Sequence, residues 1–111
     1  MKIEKRRKKD VTIFDLKGKI LLGDGIDELR EAINSCIEAK EIKLLLNFKD
    51  VPYLDSTGLG EVVRSYTSLK KANGAVKIVN LTQKVRDLLS VTKLITVFET
   101  FEDEDQAIGT F

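Results

Sequence analysis

The order of strand-like and helix-like segments predicts an α/β fold. It is a mostly parallel sheet with an antiparallel hairpin at its N-terminal edge, in the order β-β-α-β-α-β-α-β-α. Three observations carry this. Residues 42–48 (IKLLLNF) form a solid aliphatic centre, the mark of a central parallel strand covered on both faces. Residues 26–37 and 59–69 repeat apolar side chains at intervals of three and four, the stripe of a half-buried helix. Beyond Gly18, extended and helical segments alternate, as right-handed crossovers between parallel strands require. A length of 111 residues suits one domain, taken as residues 1–111.

The elements follow in order. Residues 2–8 read as a strand, Lys9-Asp10 as a tight turn, and Val11 to Leu16 (VTIFDL) as a β-branched and aromatic strand paired with the first. Val11 and Ile13 fall on one face and Phe14 and Leu16 on the other, which partial cover on both faces would explain. Residues 19–22 read as a further extended piece, broken by Gly23-Asp24-Gly25. Asp24 or Asp27 is expected to cap the next helix. That helix buries Ile26, Leu29, Ile33, Cys36 and Ile37 and ends near Ala39-Lys40.

The central strand and a loop from Lys49 to Leu54 come next. A helix from Thr57 to about Asn73 then buries Leu59, Val62, Val63, Tyr66 and Leu69, with Asn73-Gly74 as a left-handed stop. Ala75 to Val79 forms a strand. Thr82 caps a shorter helix that buries Val85, Leu88 and Leu89. The last strand is expected at Thr96 to Glu99. Residues 102–109 are expected to be a terminal helix whose four acids sit at the positive end of its dipole.

Composition removes several function classes. There is no histidine and one cysteine. That excludes a Ser-His-Asp triad, a His-Glu-x-x-His zinc site, the usual structural zinc sites and an internal disulfide. No metal or other cofactor is expected. Cys36, on an apolar helix face, reads as a core thiol. A single cysteine, no secretory h-region and no apolar run of about 18 residues point to a cytoplasmic protein without a membrane span. Net charge is +1, so no global field draws nucleic acid or membrane. Lys2, Lys5, Arg6, Arg7, Lys8 and Lys9 crowd the N-terminus. No aromatic residues interleave with them as in a nucleic-acid platform, so they read as the lysine-guarded edge of a sheet. No direct nucleic-acid partner is expected.

The stretch Leu54-Asp55-Ser56-Thr57-Gly58-Leu59-Gly60 follows the carboxyl end of the central strand, where ligands gather in parallel sheets. Phosphate-loop readings fail on detail. Asp24 stands where Gly18 to Gly23 would need a following lysine, and Val63 stands where a dinucleotide fingerprint needs its third glycine. A nucleophile elbow needs glycine two residues before the serine, and Leu54 is there. On its own, Asp55-Ser56-Thr57 is equally a helix N-cap.

Asp55-Ser56-Thr57-Gly58-Leu59-Gly60 resembles the signature of STAS domains, specifically of bacterial anti-sigma factor antagonists. Gly18, the aliphatic strand, Asn73-Gly74 and Leu88-Leu89 also fall where that family has them. The resemblance implies a non-enzymatic binding module in partner switching. Such a module engages an anti-sigma factor with serine kinase activity, is phosphorylated by it on Ser56, and is restored by a metal-dependent serine phosphatase. Thr57 is the runner-up phosphosite. The residues expected to meet the partner are Asp24, Asp55, Ser56, Thr57, Gly58, Leu59 and Val62. Lys19 and Leu21 stand where related members often carry acids, so Asp24 is expected to supply that charge. The free protein is expected to be a monomer. Two alternatives stay open: a non-switching STAS scaffold module of a signalling or lipid-transport complex, and a nucleotide-sensing binding domain.

Overall fold

The computed structural model describes residues 1–111. Strands β1 (Lys2–Lys8) and β2 (Val11–Lys17) form the antiparallel hairpin, turned without glycine because Lys9 itself adopts the left-handed conformation (φ 56°). β3 (Lys43–Asp50) pairs parallel with β2, β4 (Ala75–Val79) with β3, and β5 (Thr100–Phe101) with β4. The sheet order is therefore β1-β2-β3-β4-β5, with the solid aliphatic strand at its centre.

Helices α1 (Ile26–Glu38), α2 (Ser56–Lys71) and α3 (Gln83–Val91) cover one face, packing Leu29, Ile33, Val62, Leu69 and Val85 against Phe14, Leu16, Leu44, Leu46 and Ile78. The short α4 (Glu104–Gly109) covers part of the other, against Val11, Ile13, Leu45 and Val79. The divided alternation of β2 thus follows from two cores of unequal size. α2 stops as its sequence indicates: Asn73 turns left-handed (φ 63°), and the Gly74 N–H reaches back to the Leu69 carbonyl at 2.7 Å. Cys36 lies in the main core, where burial pushes its thiol pKa up.

Four local expectations need correction. The last strand is Thr100–Phe101, not Thr96–Glu99. Lys93 turns left-handed (φ 63°) and Leu94–Thr96 coils into a 3-10 turn. This packs Leu94, Ile95 and Phe98 onto the core, so tertiary contact overrides their strand propensity. Residues 19–22 form no strand. Only Ile20 bridges to Leu54, and the chain reverses between Leu21 and Asp24. Neither Asp24 nor Asp27 caps α1. Its N-cap is Gly25, at φ 99° with no side-chain cap bond, and a Cβ there would lie 2.6 Å from the Lys19 carbonyl oxygen. Lastly, α2 starts at Ser56 rather than Thr57, because Asp55 takes the cap.

The two charged ends of the chain answer each other. Arg6 bonds the carboxylates of Asp15 (2.6 Å) and Glu104 (2.5 Å), and Lys8 reaches Glu104 and Asp105. Lys5 and Arg7 both bond Glu41. The basic edge strand is therefore neutralised within the molecule. Asp103 caps α4, accepting the Gln106 N–H.

Candidate functional site

The site is assembled where two loops meet above the carboxyl ends of β2 and β3. Val51 and Leu54 are buried and anchor the loop after β3. The Ile20 N–H donates to the Tyr53 carbonyl at 3.2 Å, and the Asp55 N–H donates to the Ile20 carbonyl at 3.3 Å. The 19–25 segment is thereby laid across the first turn of α2. The approach is close: a Cβ on Gly58 would stand 2.0 Å from the Ile20 carbonyl oxygen. Only glycine fits beneath that carbonyl, whereas Gly60, one residue beyond Leu59, has nothing within 4 Å.

Asp55 joins the two loops. One carboxylate oxygen caps α2 by accepting the Gly58 N–H at 2.7 Å, and the other accepts the Leu22 N–H at 3.0 Å. These bonds, Gly58 first and Leu22 second, hold its pKa below the usual carboxylate range. Ser56 and Thr57 follow at the start of the helix, and both are exposed. Their position beside the free N–H groups of a helix N-terminus suits an added anion.

Thr57, Leu22, Asp24, Asp27, Glu28 and Arg30 face one hollow of about 380 Å³. A larger one of about 420 Å³, between β1 and α1, shares no residue with the motif. No trio of histidine, cysteine or acidic side chains is arranged to hold a metal ion, and no helix is long and apolar enough to cross a membrane.

The residues singled out in the sequence divide into two groups. Asp24 and Thr57 line the hollow, Asp55 borders it through its bond to Leu22, and Ser56 is exposed at the start of α2 but is not among the lining residues. Gly58, Leu59 and Val62 do not present side chains there. Leu59 is 8% and Val62 2% exposed, because the apolar stripe of α2 is what seats the helix on the sheet. They position the surface from beneath.

Two features carry no sequence signal. Leu22 is 75% exposed, yet it ends the aliphatic run Ile20-Leu21-Leu22, in which no periodicity marks the outward member. Glu61 lies one turn after Thr57 with its side chain only 1% exposed. Its carboxylate is held by Arg30 of α1 (2.7 Å) and Arg64 of α2 (3.2 Å), a buried acid between two half-exposed arginines.

Residues 2–107 match the family model described as the STAS domain. Over 56 residues, half of this chain, the sequence is 38% identical to the anti-sigma-B factor antagonist of Bacillus subtilis (strain 168), an aligned stretch spanning 51% of that relative. It is 23% identical over 109 residues to the anti-sigma F factor antagonist of Paenibacillus polymyxa, covering 97% of this chain and 92% of the relative. In fold it resembles the Bacillus cell fate determinant SpoIIAA in the phosphorylated form. That likeness has a TM-score of 0.75 at 18% identity and covers 98% of each chain.

Proposed function

The chain belongs to the STAS domain family, and on that footing we propose that it is an anti-sigma factor antagonist switched by phosphorylation of Ser56. Residues 1–111 act as one STAS domain in the cytoplasm. Unmodified, it binds an anti-sigma factor with serine kinase activity and so frees a sigma factor. The kinase transfers phosphate to the Ser56 hydroxyl, binding is lost, and a serine phosphatase restores it. The chain is substrate and binding module in this cycle, not an enzyme. The anti-sigma antagonist names of its relatives support the class of partner.

The observation that carries this reading is the placement of Ser56. It is exposed at the first residue of α2, directly after the capping Asp55. A phosphate there adds about 1.5 to 2 negative charges. Within the free protein the helix N-terminus favours that charge by about 0.3–1 kcal/mol, so the fold tolerates it. At an interface the same charge must be desolvated beside Asp55, which costs several kcal/mol on the order of a buried unpaired ion. Since about 1.4 kcal/mol is tenfold in affinity, the interface effect dominates.

The test is direct. Each serine-kinase anti-sigma factor of the source organism is purified and incubated with the chain and ATP, and the product is mapped by peptide mass spectrometry. One phosphate on Ser56 supports the reading. Phosphate on Thr57 alone, or none with any kinase, contradicts it.

A further inference from the structure

Leu22 is the most exposed large apolar side chain near the switch, at 75%, and it sits in a turn closed by three hydrogen bonds. The Leu21 N–H donates to the Asp24 carbonyl at 2.7 Å, and the Asp24 N–H donates to the Leu21 carbonyl at 2.8 Å. These bonds close a tight turn with Leu22-Gly23 at its tip. The Leu22 N–H itself is held by Asp55 at 3.0 Å, the residue that precedes Ser56. An exposed leucine on a floppy loop is unremarkable. One on a pinned backbone loses only its side-chain entropy when it enters a partner, so more of its burial counts toward affinity.

The surroundings of Leu22 specify what it meets. Asp24, Asp27 and Glu28 line the hollow beside it. Arg30 is the one cationic side chain in that lining, and it is turned to Glu61; the Met1 ammonium lies 3.5 Å from Asp24, which leaves Asp27 and Glu28 as the unpaired acids. The rim is therefore acidic.

We propose that Leu22 is the apolar anchor of the partner interface. It enters a socket ringed by lysine or arginine side chains on the anti-sigma kinase, with Asp24, Asp27 and Glu28 as the complementary rim. This rests on the function proposed above and names the surface that function uses. Charge complementarity selects the occupant. An acidic rim repels anionic lipid and nucleic acid alike. The basic strand of a second copy is already engaged, because Lys5, Arg6, Arg7 and Lys8 of β1 are paired with Glu41, Asp15, Glu104 and Asp105 of their own chain. The surface also fits the proposed switch: Asp55 holds the anchor and the start of α2 together, so a phosphate on Ser56 lies next in sequence to the residue that fixes the anchor.

Binding kinetics of the full chain against the kinase that phosphorylates it provide the test, across a range of salt concentrations. Leu22→Ala should weaken binding about 10- to 100-fold, almost entirely through faster dissociation and equally at every salt concentration. Leu22→Met should recover most of the loss. A variant with Asp24→Asn, Asp27→Asn and Glu28→Gln should instead slow association and flatten the salt dependence. Thermal melting should match wild type for the Leu22 variants, whose side chain is exposed, and fall slightly for the triple variant, which removes two acids from the first turn of α1. Leu22→Ala binding within about twofold of wild type overturns the proposal while leaving the switch intact. So does a salt-dependent loss on Leu22→Ala, or a concentration-dependent dimer of the chain that Leu22→Ala abolishes. Wild type that neither binds nor is phosphorylated by any kinase removes the proposed function, and this surface with it.

Discussion

The Asp55 carboxylate accepts the backbone N–H of Leu22 at 3.0 Å, across a separation in sequence that only the parallel sheet brings together. With its other oxygen on the Gly58 N–H, Asp55 makes the loop after β2 and the start of α2 one rigid piece. Replacing Asp55 with Asn separates the two roles. The amide oxygen still caps α2, but its NH₂ group meets the Leu22 N–H donor to donor. Amide exchange should accelerate at Leu22 and stay slow at Gly58, followed residue by residue by NMR. Equal protection at both positions would show that the carboxylate does not hold the loop.

The two glycines of the motif should behave oppositely. Gly58→Ala drives a methyl to 2.0 Å from the Ile20 carbonyl oxygen, which neither backbone can yield cheaply, so it should cost about 1–3 kcal/mol. Gly60→Ala meets open space and should stabilise α2 by about 0.5–1 kcal/mol. Urea unfolding of both variants decides. Gly58→Ala as stable as wild type would mean that the crossing of residues 19–25 over α2 is looser than described, and a destabilising Gly60→Ala would remove the open space at that position.

Acid should loosen the fold through the β1–α4 contact. Arg6 is the leading cause that holds the carboxyls of both Asp15 and Glu104 below the usual carboxylate range. For groups lowered on folding, the stabilisation is present above their unfolded pKa near 4 and lost as pH falls through the lower folded value. The urea midpoint should therefore decline on acidification from about pH 5 to pH 2, with a shallower decline in Arg6→Gln. An unchanged slope in that variant would remove Arg6 as the cause.

Glu61 ties α1 to α2 through a charge that cannot reach water. Arg30→Ala leaves Arg64 on the carboxylate, and Arg64→Ala leaves Arg30. The double variant leaves a buried acid with no cation, the costly case for an ion pair. Its loss of stability should exceed the sum of the two single losses in a double-mutant cycle. Strict additivity would show that the two arginines act independently.

Much of this architecture was legible because binary pattern and position agree. The solid run of β3, the stripe of α2 and the Asn73-Gly74 stop each point one way, and the motif falls at a strand end where parallel sheets place their sites. Thr96 to Glu99 misled because β-branched residues next to Phe98 serve a packed turn as well as a strand. Gly25 as a cap carries no mark in the sequence, because the aspartates on either side of it offer the commoner chemistry. The pairing of the basic N-terminal strand with Glu104 and Asp105 is a contact between chain ends, which no local pattern records. Leu22 was hidden for the opposite reason: apolar residues predict burial, and its exposure depends on a turn fixed from Asp55.

Charge on Ser56 is proposed to decide partner binding without altering the fold. Titration calorimetry of the anti-sigma kinase with the unmodified chain, the Ser56-phosphorylated chain, Ser56→Ala and Ser56→Asp tests it most directly, with the melting temperature of each form measured alongside. The unmodified chain and Ser56→Ala should bind alike. The phosphorylated chain and Ser56→Asp should lose at least about 100-fold, the equivalent of several kcal/mol at the interface, with melting temperatures near wild type. Binding of the phosphorylated form equal to that of the unmodified chain, or loss accompanied by unfolding, would contradict it.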